Sequence, residues 1–393
     1  MRPGLIQSVD AFALLIFVLV QWRITVLWLR FAREHFSGRA AATARYGIFL
    51  FDALWALGGL LDLLPAFDGP LRPGRLVLVL KTFTLMYGMA STAVLALRTL
   101  LRRLRKLAGE PQFSPGRRRA LNAASNLVLA APFAALSYGA LIGRLDFRVR
   151  EVDIPIPGLA ADLDGLRLLH LSDIHLSAFL SETQLARVID AANGLRPHLA
   201  AVTGDLISHR GDPLDACIRQ LARLKTDAGV LACMGNHERF AGVEHYAAAA
   251  GARAGITFLR GATEPLRFGN ATLHVAGVDY QPLFQKATYL RHAGGLVMPG
   301  ETNLLLSHNP DVFPVAARQG YNLMLAGHTH GGQVSVEILD QAINPARFLT
   351  PYVYGLYRLG PAAAYVTRGI GTIGIPARIG APPEITLLRL RKA

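Results

Sequence analysis

Four apolar stretches occupy the first third of the chain, at roughly 11–29, 46–64, 76–97 and 120–142, and then the pattern changes. Each approaches the ~20 residues that a helix needs to cross about 30 Å of hydrocarbon. The first is interrupted by Gln21-Trp22-Arg23, so it is expected to tilt or end early, with Arg23 snorkelling to the interface. It has only Arg2 as a positive region and no small-residue cleavage site, which is a poor secretion signal. Asp52 and Asp62 in the second stretch and Lys81 in the third are read as bundle-internal or interfacial groups. From about Arg148 onward, short β-rich runs alternate with helical spacing. Strands are expected at 166–171, 198–203 and 230–234, with helices at 183–195 and 214–225 between them. Further strands are expected at 271–278, 303–307 and 323–326. This alternation predicts parallel βαβ units followed by a second sheet. The chain therefore divides into a membrane region, 1–147, of about four helices and an α/β domain, 148–393.

Charge sharpens that division. The net charge is +14, a value compatible with nucleic-acid binding until it is located. Residues 1–150 hold 20 Lys/Arg against 7 Asp/Glu, and residues 151–393 hold 21 against 20. The excess lies between apolar stretches, so no nucleic-acid partner is expected. The first loop carries Arg30, Arg33, Arg39 and Arg45, and the third carries eight basic residues from Arg98 to Arg119. The second has only Arg72 and Arg75. The positive-inside rule places loops one and three in the cytoplasm and everything after about residue 143 outside. The expected location is the cytoplasmic membrane, with an extracytoplasmic α/β domain. Cys217 and Cys233 are read as buried, inert thiols.

Five polar islands each follow a short apolar run: Asp173-Ile174-His175, Gly204-Asp205, Gly235-Asn236-His237-Glu238, Ser307-His308 and Gly327-His328-Thr329-His330. In parallel sheets, ligands bind beyond the carboxyl ends of strands, where each island would fall. Divalent first-row metals such as Mn²⁺, Fe²⁺ or Zn²⁺ accept mixed imidazole and carboxylate ligands. Asp173 and His175, one residue apart, can point to one side of an extended exit. Asp205 follows a glycine that permits a sharp turn, and it is the choice for a bridging carboxylate. Asn236 offers a neutral oxygen and His237 a proton. Any one island is a common turn; the set and its order point to a two-metal hydrolytic site.

On these islands the chain resembles the calcineurin-like metallophosphoesterase superfamily. The run from His328 to Gln333 and the tail from Arg368 to Thr386 are similar to its bacterial membrane-linked branch. The resemblance covers about residues 150–390 and implies a four-layer α/β/β/α sandwich. It implies two divalent ions, one held by Asp173, His175, Asp205 and His330. The other would be held by Asp205, Asn236, His308 and His328, with His237 as general acid. The implied reaction is hydrolysis of a phosphomonoester or phosphodiester.

A domain tethered at a membrane suggests an envelope or lipid-linked phosphate as substrate and membrane lipids as partners. The aromatics of 280–289 and 348–357 are candidates for an acyl-chain groove or an interfacial contact, or simply pack a sandwich edge. Arg239, Arg291 and Arg368 are candidates for holding a further phosphate. Three rival readings stand: a UDP-diacylglucosamine-type pyrophosphatase with a cytoplasmic site, a non-catalytic metal-binding sensor, and a transporter using the membrane charges.

Overall fold

The computed structural model describes residues 3–63, 84, 87–100, 103, 116, 131, 134–283, 285–338, 341–374 and 376–393. The chain forms two compact units, Met1–Gly139 with Gly374–Pro376, and Ala140–Ile373 with Ala377–Ala393. In the first, α1 (Pro3–His35) and α2 (Gly38–Leu63) pair. Among the described residues one helix, over Leu15–His35, is long and apolar enough to cross a membrane. The second expected stretch falls on α2 up to Leu63, the third and fourth fall partly outside the described residues, and Lys81 lies outside them. Asp52 is not a free charge. It accepts from Gln21 Nε2 at 2.6 Å and from Thr25 Oγ1 at 2.9 Å, so α1 supplies the partners that keep it inside the helix pair.

The second unit begins with β1 (Arg148–Ile156) and β2 (Arg167–Leu171), then α3 (Glu182–Gly194) and β3 (Leu199–Thr203). It continues through α4 (Leu214–Leu221), β4 (Val230–Cys233), α5 (Asn236–Ala241), α6 (Glu244–Arg253) and β5 (Ile256–Phe258). Next come β6 (Ala262–Phe268), β7 (Ala271–Gly277), β8 (Thr302–Leu306), α7 (Phe313–Gln319) and β9 (Leu323–Ala326). A short pair, β10 (Val336–Ile338) and β11 (Gln341–Ile343), precedes β12 (Gly355–Leu359), β13 (Ala362–Val366) and β14 (Glu384–Lys392). Local chemistry explains the starts and stops. Ser181 caps α3 through a reciprocal pair with Gln184, which satisfies two end donors. Gly320, at φ 101°, ends α7 in the left-handed conformation that a side chain resists.

Two six-stranded sheets face each other, ordered β1-β14-β2-β3-β4-β5 and β12-β13-β9-β8-β7-β6. Strands β2 to β5 run parallel in the first, as do β7, β8, β9 and β13 in the second. Leu168, Leu199 and Leu231 meet Val275, Leu304 and Tyr365 in the core between the sheets. Helices α3, α4 and α6 cover the first sheet through Leu185, Cys217 and Ala247, and α7 covers the second through Phe313 and Ala316. The result is the expected α/β/β/α sandwich. Both cysteines are buried free thiols, as composition suggested. The central strands match the apolar runs to within a residue or two. The edge strand β1 and the closing strand β14, which pair with each other over nine residues, have no comparably plain pattern.

Candidate active site

Every polar island lies just past the carboxyl end of a strand. Ser172–His175 follows β2, Gly204-Asp205 follows β3 and Asn236 opens α5 after β4. Ser307-His308 and Gly327–His330 follow β8 and β9 of the facing sheet. The two sheets thus bring ends that are up to 157 residues apart in sequence, as Asp173 and His330 are, to one edge. Backbone hydrogen bonds fasten the loops together: Asp173 N–H donates to Gly204 O, His175 N–H to Asp205 O and Gly327 N–H to His308 O. Glycine is required at the crossings. A Cβ on Gly204 would lie 2.7 Å from Gly235 Cα, and one on Gly327 would strike Ser172 and the Asp173 carboxylate.

The donor atoms converge on two points. His175 Nε2 lies 3.1 Å from His330 Nε2 and 3.5 Å from Asp205 Oδ2, and His330 Nε2 lies 3.3 Å from Asp173 Oδ1. On the other side, His308 Nε2 is 3.0 Å from Asp205 Oδ2 and 3.1 Å from His328 Nδ1. Asp205 belongs to both groups. Asn236 Oδ1 is buried with no hydrogen-bond partner among the described residues, which leaves a strong acceptor uncompensated unless something electropositive meets it. Nitrogen lone pairs, carboxylates and an orphaned amide oxygen make a donor set that fits divalent ions. Of the eight described non-glycine residues with positive φ, five are Asp173, His175, Asp205, His328 and His330. Such backbone costs of order 1–3 kcal/mol per residue and clusters where function demands a geometry.

Ring orientation is fixed from behind. His308 Nδ1 faces Thr203 O at 2.7 Å and His237 Nδ1 faces Ser208 O at 2.5 Å. A carbonyl only accepts, so both Nδ1 atoms carry hydrogen and both Nε2 atoms are directed elsewhere. Burial pushes His175 and His328 down to about 3, so these imidazoles are neutral and keep their lone pairs at neutral pH. Burial acts to raise Asp205, but the adjacent His308 overcomes it and holds the carboxyl below its ordinary range. His308 is correspondingly pushed up to about 10, burial being outweighed by Asp205. A cation bound between them would compete with any proton held there.

Two supporting residues escape a reading of the sequence. Glu238 is fully buried, and its carboxylate accepts from the backbone N–H of Asp205, Leu206 and Gly235 at 2.7–2.9 Å. It holds the Asp205 turn against the start of α5. Its place in the Gly-Asn-His-Glu island was the available sign. Arg378 had none. It is 1% exposed and donates to the carbonyls of Gly369, Gly371, Ala381 and His330. Burial pushes its guanidinium down to about 9, which leaves it charged at neutral pH. The 369–371 turn that it ties down is bonded in turn to Ser172 O and Asp173 O.

The arginines singled out for a second phosphate are not gathered in one place. Arg239 and Arg291 are exposed, and no hydrogen bond or ion pair among the described residues joins their side chains to the cluster. Arg368 lies over the Tyr354 ring at 4.2 Å, with Nε 3.8 Å from Glu384. The aromatic runs divide as well. Tyr352 packs between Phe313 and Tyr357, Phe348 stands 91% exposed, and Tyr280 lies 5.6 Å from the His328 ring.

A sandwich of two mixed sheets with Asp, Asn and His beyond its strand ends has the arrangement of a metallophosphoesterase. The chain belongs to the calcineurin-like phosphoesterase family, whose model matches residues 166–332. It is 31% identical to a Danio rerio transmembrane protein with metallophosphoesterase domain over 284 residues, 68% of this chain and 62% of that protein. The chain thus spans less than two thirds of that relative's length. It is 31% identical to the uncharacterized metallophosphoesterase YkuE of Bacillus subtilis, covering 58% of this chain and 80% of YkuE. It is 30% identical to the phosphodiesterase YaeI of Escherichia coli, covering 57% and 82% respectively.

Proposed function

We propose that this chain is a membrane-anchored phosphoesterase that uses two divalent ions to hydrolyse a phosphodiester or phosphomonoester of an envelope or lipid-linked molecule. The observation that carries the reading is Asp205 Oδ2, 3.5 Å from His175 Nε2 and 3.0 Å from His308 Nε2, beside an Asn236 oxygen that has no hydrogen-bond partner among the described residues. Asp173, His175, His330 and Asp205 would hold one ion, and Asp205, Asn236, His308 and His328 the other. Such ions neutralise phosphoryl charge and acidify water. His237, its Nδ1–H fixed on Ser208 O and its backbone N–H on Asp205 Oδ1, presents Nε2 to the reacting group. Protonated there, it would donate to the departing oxygen. Glu238 and Arg378 would keep the loops from relaxing.

The full chain in detergent, stripped of metal and reloaded with Mn²⁺, is expected to hydrolyse bis-p-nitrophenyl phosphate or p-nitrophenyl phosphate. Their ratio separates diester from monoester preference. His237→Gln should lower kcat by about 10²–10⁴-fold while both ions remain bound. Metal binding without turnover in the wild type would favour the sensor instead.

The membrane assignment is supported by the apolar helix and by relatives named as transmembrane proteins. The charge asymmetry of the loops supports a domain on the outer side of the cytoplasmic membrane, in contact with membrane lipids and without a nucleic-acid partner. Alkaline phosphatase fused after Ala393 should then be active in a bacterial host, and a green fluorescent protein fusion dark. The reverse pattern would place the site in the cytoplasm and restore the pyrophosphatase reading.

A further inference from the structure

The short helix α5 carries more than a ligand and a proton donor. Asn236, His237 and Phe240 fall at helical positions i, i+1 and i+4, so Phe240 lies one turn beyond the first two and toward the same side. Its ring centroid is 5.8 Å from that of His237 and 6.5 Å from that of Tyr280. Tyr280 reaches across from the loop after β7, with its ring 5.6 Å from His328 and 6.1 Å from His308. The aromatic pair therefore spans from the proposed general acid to two of the proposed metal ligands, along one side of the cluster. Tyr280 is 8% exposed and packed, whereas Phe240 is 72% exposed. A large ring left in water gains no folding stability there, but it gains contact area once an apolar group lies against it.

From this arrangement we infer that Phe240 and Tyr280 form a subsite for the apolar organic group of the phosphate ester. The inference rests on the phosphoesterase reading and adds a class of substrate to it. A phosphoryl group held by the Asp205 cluster has its ester oxygen on the His237 side, and the substituent on that oxygen then meets the Phe240 face. Tyr280, fixed by packing, forms the wall, and Phe240 is the adjustable edge. A sugar or other strongly hydrated group would lose water against these rings without recovering hydrogen bonds. An acyl chain or an aryl ring would not.

The test compares phenylphosphonate with methylphosphonate as competitive inhibitors of the Mn²⁺-loaded full chain. The wild type is expected to bind the phenyl compound roughly tenfold more tightly. Phe240→Ala should reduce that ratio to near one at unchanged metal content, and Phe240→Trp should preserve it. Because Phe240 is exposed, removing its ring opens no core cavity and the variant should fold. Phe348→Ala, which alters a ring even more open to water but outside this cluster, should leave the ratio as in the wild type. Equal binding of both phosphonates, or a preference that survives Phe240→Ala, overturns the subsite and leaves the phosphoesterase reading intact. Binding of neither compound, with no metal-dependent turnover, overturns both.

Discussion

Asp205→Asn is expected to cost the protein both of the proposed ions and to lower kcat/KM by on the order of 10³-fold or more, about 4 kcal/mol of transition-state stabilisation. Asp205 Oδ2 lies between His308 Nε2 at 3.0 Å and His175 Nε2 at 3.5 Å, so one oxygen serves both donor groups. An amide keeps the shape but removes the negative charge that would offset the two proposed dications. Oδ1 meanwhile accepts from His237 N–H at 2.9 Å, a bond that an asparagine oxygen can still make, so the turn should survive. Metal analysis beside kinetics checks this. Two ions per chain with ordinary turnover in the variant would remove Asp205 as the shared ligand. The contrast with His237→Gln, which should retain its ions, divides holding the metal from moving the proton.

Arg378→Met is expected to destabilise the second unit by about 3 kcal/mol, because the carbonyls of Gly371 and Ala381 would be left buried without a donor, while those of Gly369 and His330 would keep only the backbone N–H groups of Glu384 and Gln333. For a unit of this size that corresponds to a fall in Tm of roughly 6–12 °C. The substitution also removes a buried charge that has no carboxylate within 4 Å among the described residues, which lessens the loss. Metal affinity should fall as well, by about 10–100-fold, since Arg378 ties His330 and the turn behind Asp173 in place. Thermal melts with and without Mn²⁺ read the two effects separately. An unchanged Tm would mean that the carbonyls find water or other donors.

Much of the site could be read along the chain because each donor sits next to a strand end. An apolar run such as 199–203 identifies a buried strand, and the glycine after it marks where the chain turns, so Asp205 has its place before any contact is known. The same logic covers Asp173, Asn236, His308 and His328. It fails for residues whose role depends on what lies across from them. Glu238 sits in a visible motif, but its three backbone donors come from two separate loops. Arg378 lies in a segment without periodicity, where an arginine would ordinarily be solvated. Phe240 carries no sign in the sequence of its place, 72% exposed beside His237. The aromatic run at 348–357 likewise gave no means of separating the packed Tyr352 from the exposed Phe348.

By itself the sequence determined the α/β class, the order of the central strands along the chain, the N-terminal apolar segments and the donor residues. These follow from local periodicity and from the chemistry of single side chains. Only the tertiary structure decided that the two sheets face each other with their strand ends at one edge, and that Asp205 stands between two histidine groups. It also decided that Asn236 Oδ1 has no hydrogen-bond partner among the described residues, that Asp52 has Gln21 and Thr25 as partners, and that Arg378 is buried behind the site. The physical reason is range. Helix and strand preferences act over a few residues, whereas desolvation, hydrogen-bond satisfaction and charge pairing depend on groups brought together from more than a hundred residues away.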